Sequence, residues 1–221
     1  MKRKLFISFV STLLCIGLMF NLTVVGFAES KKTEYPFIFV HGMCGWGETS
    51  PQEKTSPYWG TQPENNVITY LRAQGYTVYN PPVGGYSSAW DRACELYAQL
   101  MGVTVDYGVA HSAKFNHERF GRTYYQPLIP NWGELDENGK LQQIHLIGHS
   151  FGGTTIRMLV QLLTEGSPEE MAATDPEDIS GLFTGGKGDW VKSVTTICTP
   201  HNSSSIYYPV VYLGLADLVQ F

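Results

Sequence analysis

The sequence predicts an α/β fold, a mostly parallel sheet with helices on both faces, and three observations carry that prediction. A continuous apolar run at Phe37–Val40 suits a strand covered on both faces, Ile144–Ile147 is a second short and mostly apolar strand, and Val191–Cys198 reads as a further strand halted by Pro200. Amphipathic helical stripes lie between them, and strands spaced by helices favour parallel pairing. The run at Ile144–Ile147 passes through Gly148-His149-Ser150-Phe151-Gly152 straight into a helical pattern, a strand–turn–helix unit. Composition agrees. The 221 residues are 43% hydrophobic, with 11 Phe, 5 Trp and 13 Tyr, more apolar surface than a disordered chain carries. The 23 Gly and 12 Pro are ordinary globular usage, which excludes collagen-like and low-complexity classes.

In chain order, residues 1–28 read as a signal peptide. Lys2, Arg3 and Lys4 give a positive start, Leu5 to Val25 is uncharged and apolar, and Gly26-Phe27-Ala28 supplies small residues for cleavage. The run is long enough to span a bilayer, but the small residues and the polar Glu29-Ser30-Lys31-Lys32 favour cleavage over a retained anchor. Leu14 before Cys15 argues against a lipoprotein. The net charge is −5, to which the three leader cations contribute +3, so the rest carries −8. Such a surface repels phosphate backbones, and nucleic acid is not an expected partner.

Residues 29–221 form the expected domain. After Phe37–Val40 and a Pro-punctuated loop, Val67, Ile68 and Leu71 make a helical stripe ending at Gly75. Thr77–Tyr79 is the next strand. Ser88 and Asp91 predict a capping box for a helix whose apolar stripe is Trp90, Cys94, Tyr97 and Met101. Residues 102–140, rich in Gly, Pro and Asn-Gly turns, read as an irregular insertion. Gly152–Leu163 is the helix behind Ser150. Cys44, Cys94 and Cys198 are widely spaced with no CxxC and read as small buried hydrophobes. A Cys44–Cys94 or Cys44–Cys198 bridge is open to an exported protein, and nothing in the sequence selects one.

The G-x-S-x-G turn carries the chemistry. Flanking glycines leave room where the turn is tight, so that Ser150 is thrust above the sheet as a nucleophile. The helix behind it offers N–H groups and positive partial charge to a developing oxyanion. Met43, after the first strand at Val40-His41-Gly42, and Phe151 are the candidate oxyanion donors through their backbones. His41 reads as a loop histidine pinning the strand end.

Residues 35 to about 203 resemble the secreted bacterial lipases of the thermophilic bacillus and staphylococcal type. The resemblance rests on Phe39-Val40-His41-Gly42 with Gly45-Trp46-Gly47, Ser88-Ala89-Trp90-Asp91-Arg92-Ala93-Cys94-Glu95, Val105-Asp106-Tyr107-Gly108, Arg119-Phe120-Gly121-Arg122-Thr123-Tyr124, the Ser150 turn, and Ser193–Ile197 with Thr199-Pro200-His201. It implies an α/β-hydrolase that cleaves acylglycerol esters, often at a lipid–water interface. It also implies a structural zinc site in the insertion, with Asp91, His111 and His117 matching three ligands and a later aspartate as the fourth, outside this chain. The family's lid, calcium ligands, triad acid and triad histidine lie beyond the matched region. Phe151 stands where these lipases commonly carry Gln or Met, which leaves a backbone donor intact.

The expected function is therefore a secreted serine carboxylester hydrolase, a triacylglycerol lipase with Ser150 as acyl nucleophile. The alternatives are a hydrolase-shaped lipid-binding module and a metallohydrolase with catalytic zinc on Asp91, His111 and His117. Pro200-His201 precedes any triad acid in the chain order Ser…Asp/Glu…His, so His201 reads as structural. Asp175, Asp178 and Asp189 read as solvated. The 23 residues after Cys198 are too few for two further strand–helix units, so the chain reads as lacking C-terminal strands and as catalytically incomplete on its own.

Overall fold

In the computed structural model the described residues are 32–202, and those from Thr33 onward belong to one compact unit. The leader at 1–28 and the apolar segment Tyr207–Val219 lie outside them. The strands are β1 (Phe37–Val40), β2 (Val78–Tyr79), β3 (Thr104–Asp106), β4 (Phe120–Thr123), β5 (Ile144–His149) and β6 (Val191–Ile197). The α-helices are α1 (Val67–Ala73), α2 (Ala89–Met101), α3 (Val109–Phe115), α4 (Phe151–Glu165) and α5 (Pro168–Ala173). Four strands form one sheet in the order β2-β1-β5-β6, every neighbouring pair parallel.

Alternation along β1 explains the layers. Ile38 and Val40 point to one face, where they meet Leu96 and Leu100 of α2 and Ile156, Leu159 and Leu163 of α4. Phe39 points to the other face with Ile147, Val78 and Ile68 of α1, backed by Trp59 and Leu71. A strand buried on both sides must be apolar at every position, which is how Phe37–Val40 reads. β6 is one edge of the sheet formed by the described residues, and there the pattern breaks: Val194 and Ile197 are each 41% exposed. Among the described residues no helix is long and apolar enough to cross a membrane.

Two expectations need correction. The stretch 102–140 is irregular only in its second half, beyond Thr123. β3 and β4 pair as an antiparallel ribbon, linked by the Thr104 and Thr123 hydroxyls at 2.8 Å, and α3 lies between them. In α3 the polar His111, Ser112 and Lys114 interrupt any apolar stripe, and all four residues of β4 are exposed, so neither leaves a clear apolar signature. Of the cysteines among the described residues, only Cys94 is buried. Cys44 and Cys198 are exposed, both with positive φ in turns that end strand-derived segments, and all three are free thiols.

Candidate active site and metal cluster

β5 delivers Ser150 and α4 starts directly behind it. Ser150 has φ 53° and ψ −126°, a conformation an L-residue adopts only when its surroundings enforce it. The enforcement is steric. A side chain at Gly152 would run into the Val40 carbonyl, so helix and strand close up only because that residue is glycine. Ser150 does not cap α4 with its side chain, and its N–H donates to the Ile197 carbonyl at 2.8 Å, tying the turn to β6.

The loop after β1 lies against this turn. A Cβ on Gly42 would stand 2.8 Å from that of Ser150. The Gly42 N–H donates to the Tyr58 hydroxyl at 2.9 Å, and that hydroxyl lies 2.6 Å from His149 Nδ1, so Tyr58 bridges the β1 loop and the serine turn. The Gly42 carbonyl is held on the opposite side. His41 Nε2 accepts from the Val83 N–H at 3.2 Å, so the ring proton sits on Nδ1, which donates to that carbonyl at 2.8 Å. Burial, joined by the charge of Arg92, lowers the His41 pKa from 6.5 to about 4, and the ring is neutral.

Arg92 completes the loop's support. It is fully buried, and its guanidinium donates to the carbonyls of His41 at 2.5 Å and Gly84 at 2.7 Å, and to Thr155 Oγ1 of α4 at 2.8 Å. A fourth, longer contact reaches the Gly42 carbonyl at 3.5 Å, and the charge lies 5.2 Å from the centre of the Phe151 ring. Burial lowers its pKa to about 10, which leaves it cationic at neutral pH. Because a trans peptide is planar, anchoring the Gly42 carbonyl fixes the Met43 N–H on the opposite side. Among the described residues neither the Met43 nor the Phe151 N–H has a backbone acceptor.

Sequence reasoning missed Tyr58 and Arg92. Arg92 left one signal, a cation in the apolar part of the α2 sequence that no charge-patterning rule explains. His201 engages both ring nitrogens, with Arg157 Nη1 and with Thr196 Oγ1, each at 3.0 Å, and Asp175, Asp178 and Asp189 are exposed.

The second cluster forms around the start of α2. Ser88 caps that helix by accepting from the Asp91 N–H at 3.1 Å. The Asp91 carboxylate, however, turns toward the histidines instead of closing a reciprocal box. His111 Nε2 lies 3.0 Å and His117 Nε2 3.9 Å from Asp91 Oδ1, and one ligand atom from each of the three residues falls within 4.8 Å of the others. His117 Nδ1–H donates to the Glu118 carbonyl at 2.9 Å, which leaves its Nε2 lone pair free. That Nε2 is buried without a hydrogen-bond partner among the described residues. Burial raises the Asp91 pKa, but hydrogen bonds from His111 and Ser88 and the nearby histidine charges outweigh it, and the net shift is downward. Trp90 stacks on the His111 ring at 4.9 Å and 10°, fixing its plane. Two imidazoles, a carboxylate and an orphaned ring nitrogen suit a metal ion.

The chain is similar to known lipases. Residues 33–210 match the family model described as lipase-like, C-terminal domain. Lipase 2 of Staphylococcus aureus is 46% identical over 174 residues, covering 77% of this chain and 24% of that protein. Among solved structures, lipase 1 from Pelosinus fermentans superposes with a TM-score of 0.74 at 45% identity, over 84% of this chain and 49% of that one. Staphylococcus hyicus lipase gives 0.69 at 38% identity, over 85% and 51%. The chain thus spans about a quarter of the curated relative and about half of each solved structure.

Proposed function

The chain belongs to the lipase-like, C-terminal domain family, and we propose that it carries the nucleophile and oxyanion hole of a secreted serine carboxylester hydrolase acting on acylglycerols. One observation carries this reading: Ser150 sits in a strained turn between β5 and α4, with the Gly42 backbone against it. In the acylation step Ser150 Oγ attacks the ester carbonyl carbon, its proton passes to a general base, and the carbonyl oxygen becomes an oxyanion. Met43 and Phe151 N–H groups receive that charge. The base is not assigned among the described residues, where His149 is bound to Tyr58 and His201 to Arg157 and Thr196.

Asp91, His111 and His117 hold zinc in this reading, and zinc supplies a fixed cross-link between α2, α3 and the turn beyond it. Residues 1–28 act as a cleaved signal peptide, and residues 29–221 as a hydrolase domain with its insertion at about 102–140. The substrate is an acylglycerol or other ester met at a lipid–water interface.

The test compares short-chain ester hydrolysis by protein bearing this sequence with that of its Ser150→Ala variant. Activity should fall by more than about a thousandfold with the far-ultraviolet spectrum unchanged. Turnover within about tenfold of wild type would remove Ser150 from the chemistry.

A further inference from the structure

The helix that presents His111 has no cap of its own. α3 is seven residues long, and its N-cap is Gly108, which has no side-chain oxygen to offer. The first N–H groups of any helix lack intrahelical acceptors, and so short a helix is marginal unless something else holds it. Glu170 of α5 fills this gap from across the fold. Its Oε2 accepts from the Ala110 N–H at 3.0 Å and its Oε1 from the His111 N–H at 2.7 Å. The residue is 1% exposed, and its own N–H is held by the Ser167 hydroxyl at 3.3 Å, which caps the helix that carries it. The two positions are complementary. A Cβ on Gly108, whose φ is 95°, would run into the Glu170 carboxyl group. The glycine clears the space that the carboxylate occupies.

We propose that Glu170 is a positioning residue for the metal cluster, capping α3 from another element and thereby fixing His111 against Asp91. The inference rests on the metal reading given above. His111 receives the shorter of the two hydrogen bonds on its own backbone, while its ring meets Asp91 at 3.0 Å. His117 follows the end of α3 after the left-handed Asn116, so the direction of this helix also sets where the second imidazole enters. Without the carboxylate the first turn of α3 frays, and zinc must order it at the moment of binding. The metal site thereby depends on α5, an element that contributes no ligand.

The chain is titrated with zinc alone against a competing colorimetric chelator, and melting temperatures are recorded with and without zinc. Glu170→Ala should weaken zinc binding about tenfold or more, as loss of an outer-sphere partner does. Glu170→Gln keeps one acceptor oxygen and should fall between that variant and wild type; it decides the matter if Glu170→Ala does not fold. The zinc-induced rise in melting temperature should shrink in step, because that rise follows ligand affinity for the folded state. A carboxylate that merely stabilises the fold would lower the apo and zinc-loaded melting temperatures equally. That result, or equal zinc affinity in wild type and variants, overturns the proposal and leaves the metal reading standing. A wild-type chain that takes up no zinc overturns both.

Discussion

Asp91 and Arg92 are neighbours at the start of α2, yet they serve regions built on opposite principles. On the Arg92 side the groups that the proposed function aims at the reaction are backbone: the Met43 and Phe151 N–H groups and the turn that lifts Ser150. Side chains there work from behind, with Arg92 and His41 gripping carbonyls of the β1 loop. On the Asp91 side the functional groups are side chains, and backbone works from behind, where the His111 N–H is held by Glu170. A site made of backbone is specified by local sequence, because glycine spacing and a strand–helix junction suffice. A site made of side chains from separate segments depends on whatever holds those segments. α2 serves both, so damage at its first turn should reach both regions.

Arg92 offers the sharpest way to break this division, and the largest effect. Arg92→Met leaves the carbonyls of His41 and Gly84 and the Thr155 hydroxyl without their donor in a buried setting, and should cost about 3–5 kcal/mol of stability. The shift in denaturation midpoint at unchanged slope measures it. Ester turnover should fall by about a hundredfold in the fraction that folds, because the oxyanion loop loses its register. Arg92→Lys keeps the charge without the fork and should recover only part of either loss. A variant as stable as wild type would mean that the loop holds itself.

His41 gives the next effect, and its sign follows from burial. The folded ring titrates near pH 4 against 6.5 when unperturbed. As pH falls below 6.5 the unfolded chain takes up the proton first. Stability contributed by the neutral ring is therefore complete above pH 6.5 and drains away toward pH 4, on the order of 3 kcal/mol in all. His41→Gln lacks that titration, so the wild-type advantage should narrow over this window. A constant difference between the two across the window would contradict the buried, neutral ring.

How much was legible follows the same division. Ser150, its helix and the strands at β1, β5 and β6 could be read because their periodicity and glycine spacing are local. The three residues of the candidate metal cluster could not be derived from spacing: Asp91 has a good local role beside Ser88, and a separation of six does not place His111 and His117 on one helical face. Only the resemblance brought them together. Arg92, Tyr58 and Glu170 escaped because each acts through hydrogen bonds to backbone groups distant in sequence, a partner that leaves no mark in composition. β4 was hidden by its exposure, since a strand without a buried face need not alternate, and three-residue β3 shows only Val105 buried.

The central claim is that chemistry belongs to the Ser150 side and zinc only fastens the other. It is tested by stripping zinc with a chelator from active protein bearing this sequence, then following ester turnover well below the melting temperature and thermal unfolding on the same sample. Turnover should stay within about twofold of the loaded protein while the melting temperature drops by several degrees, the loss of a ligand that binds only the folded state. Turnover that collapses on chelation while the fold stays intact would contradict it and place the reaction at Asp91, His111 and His117.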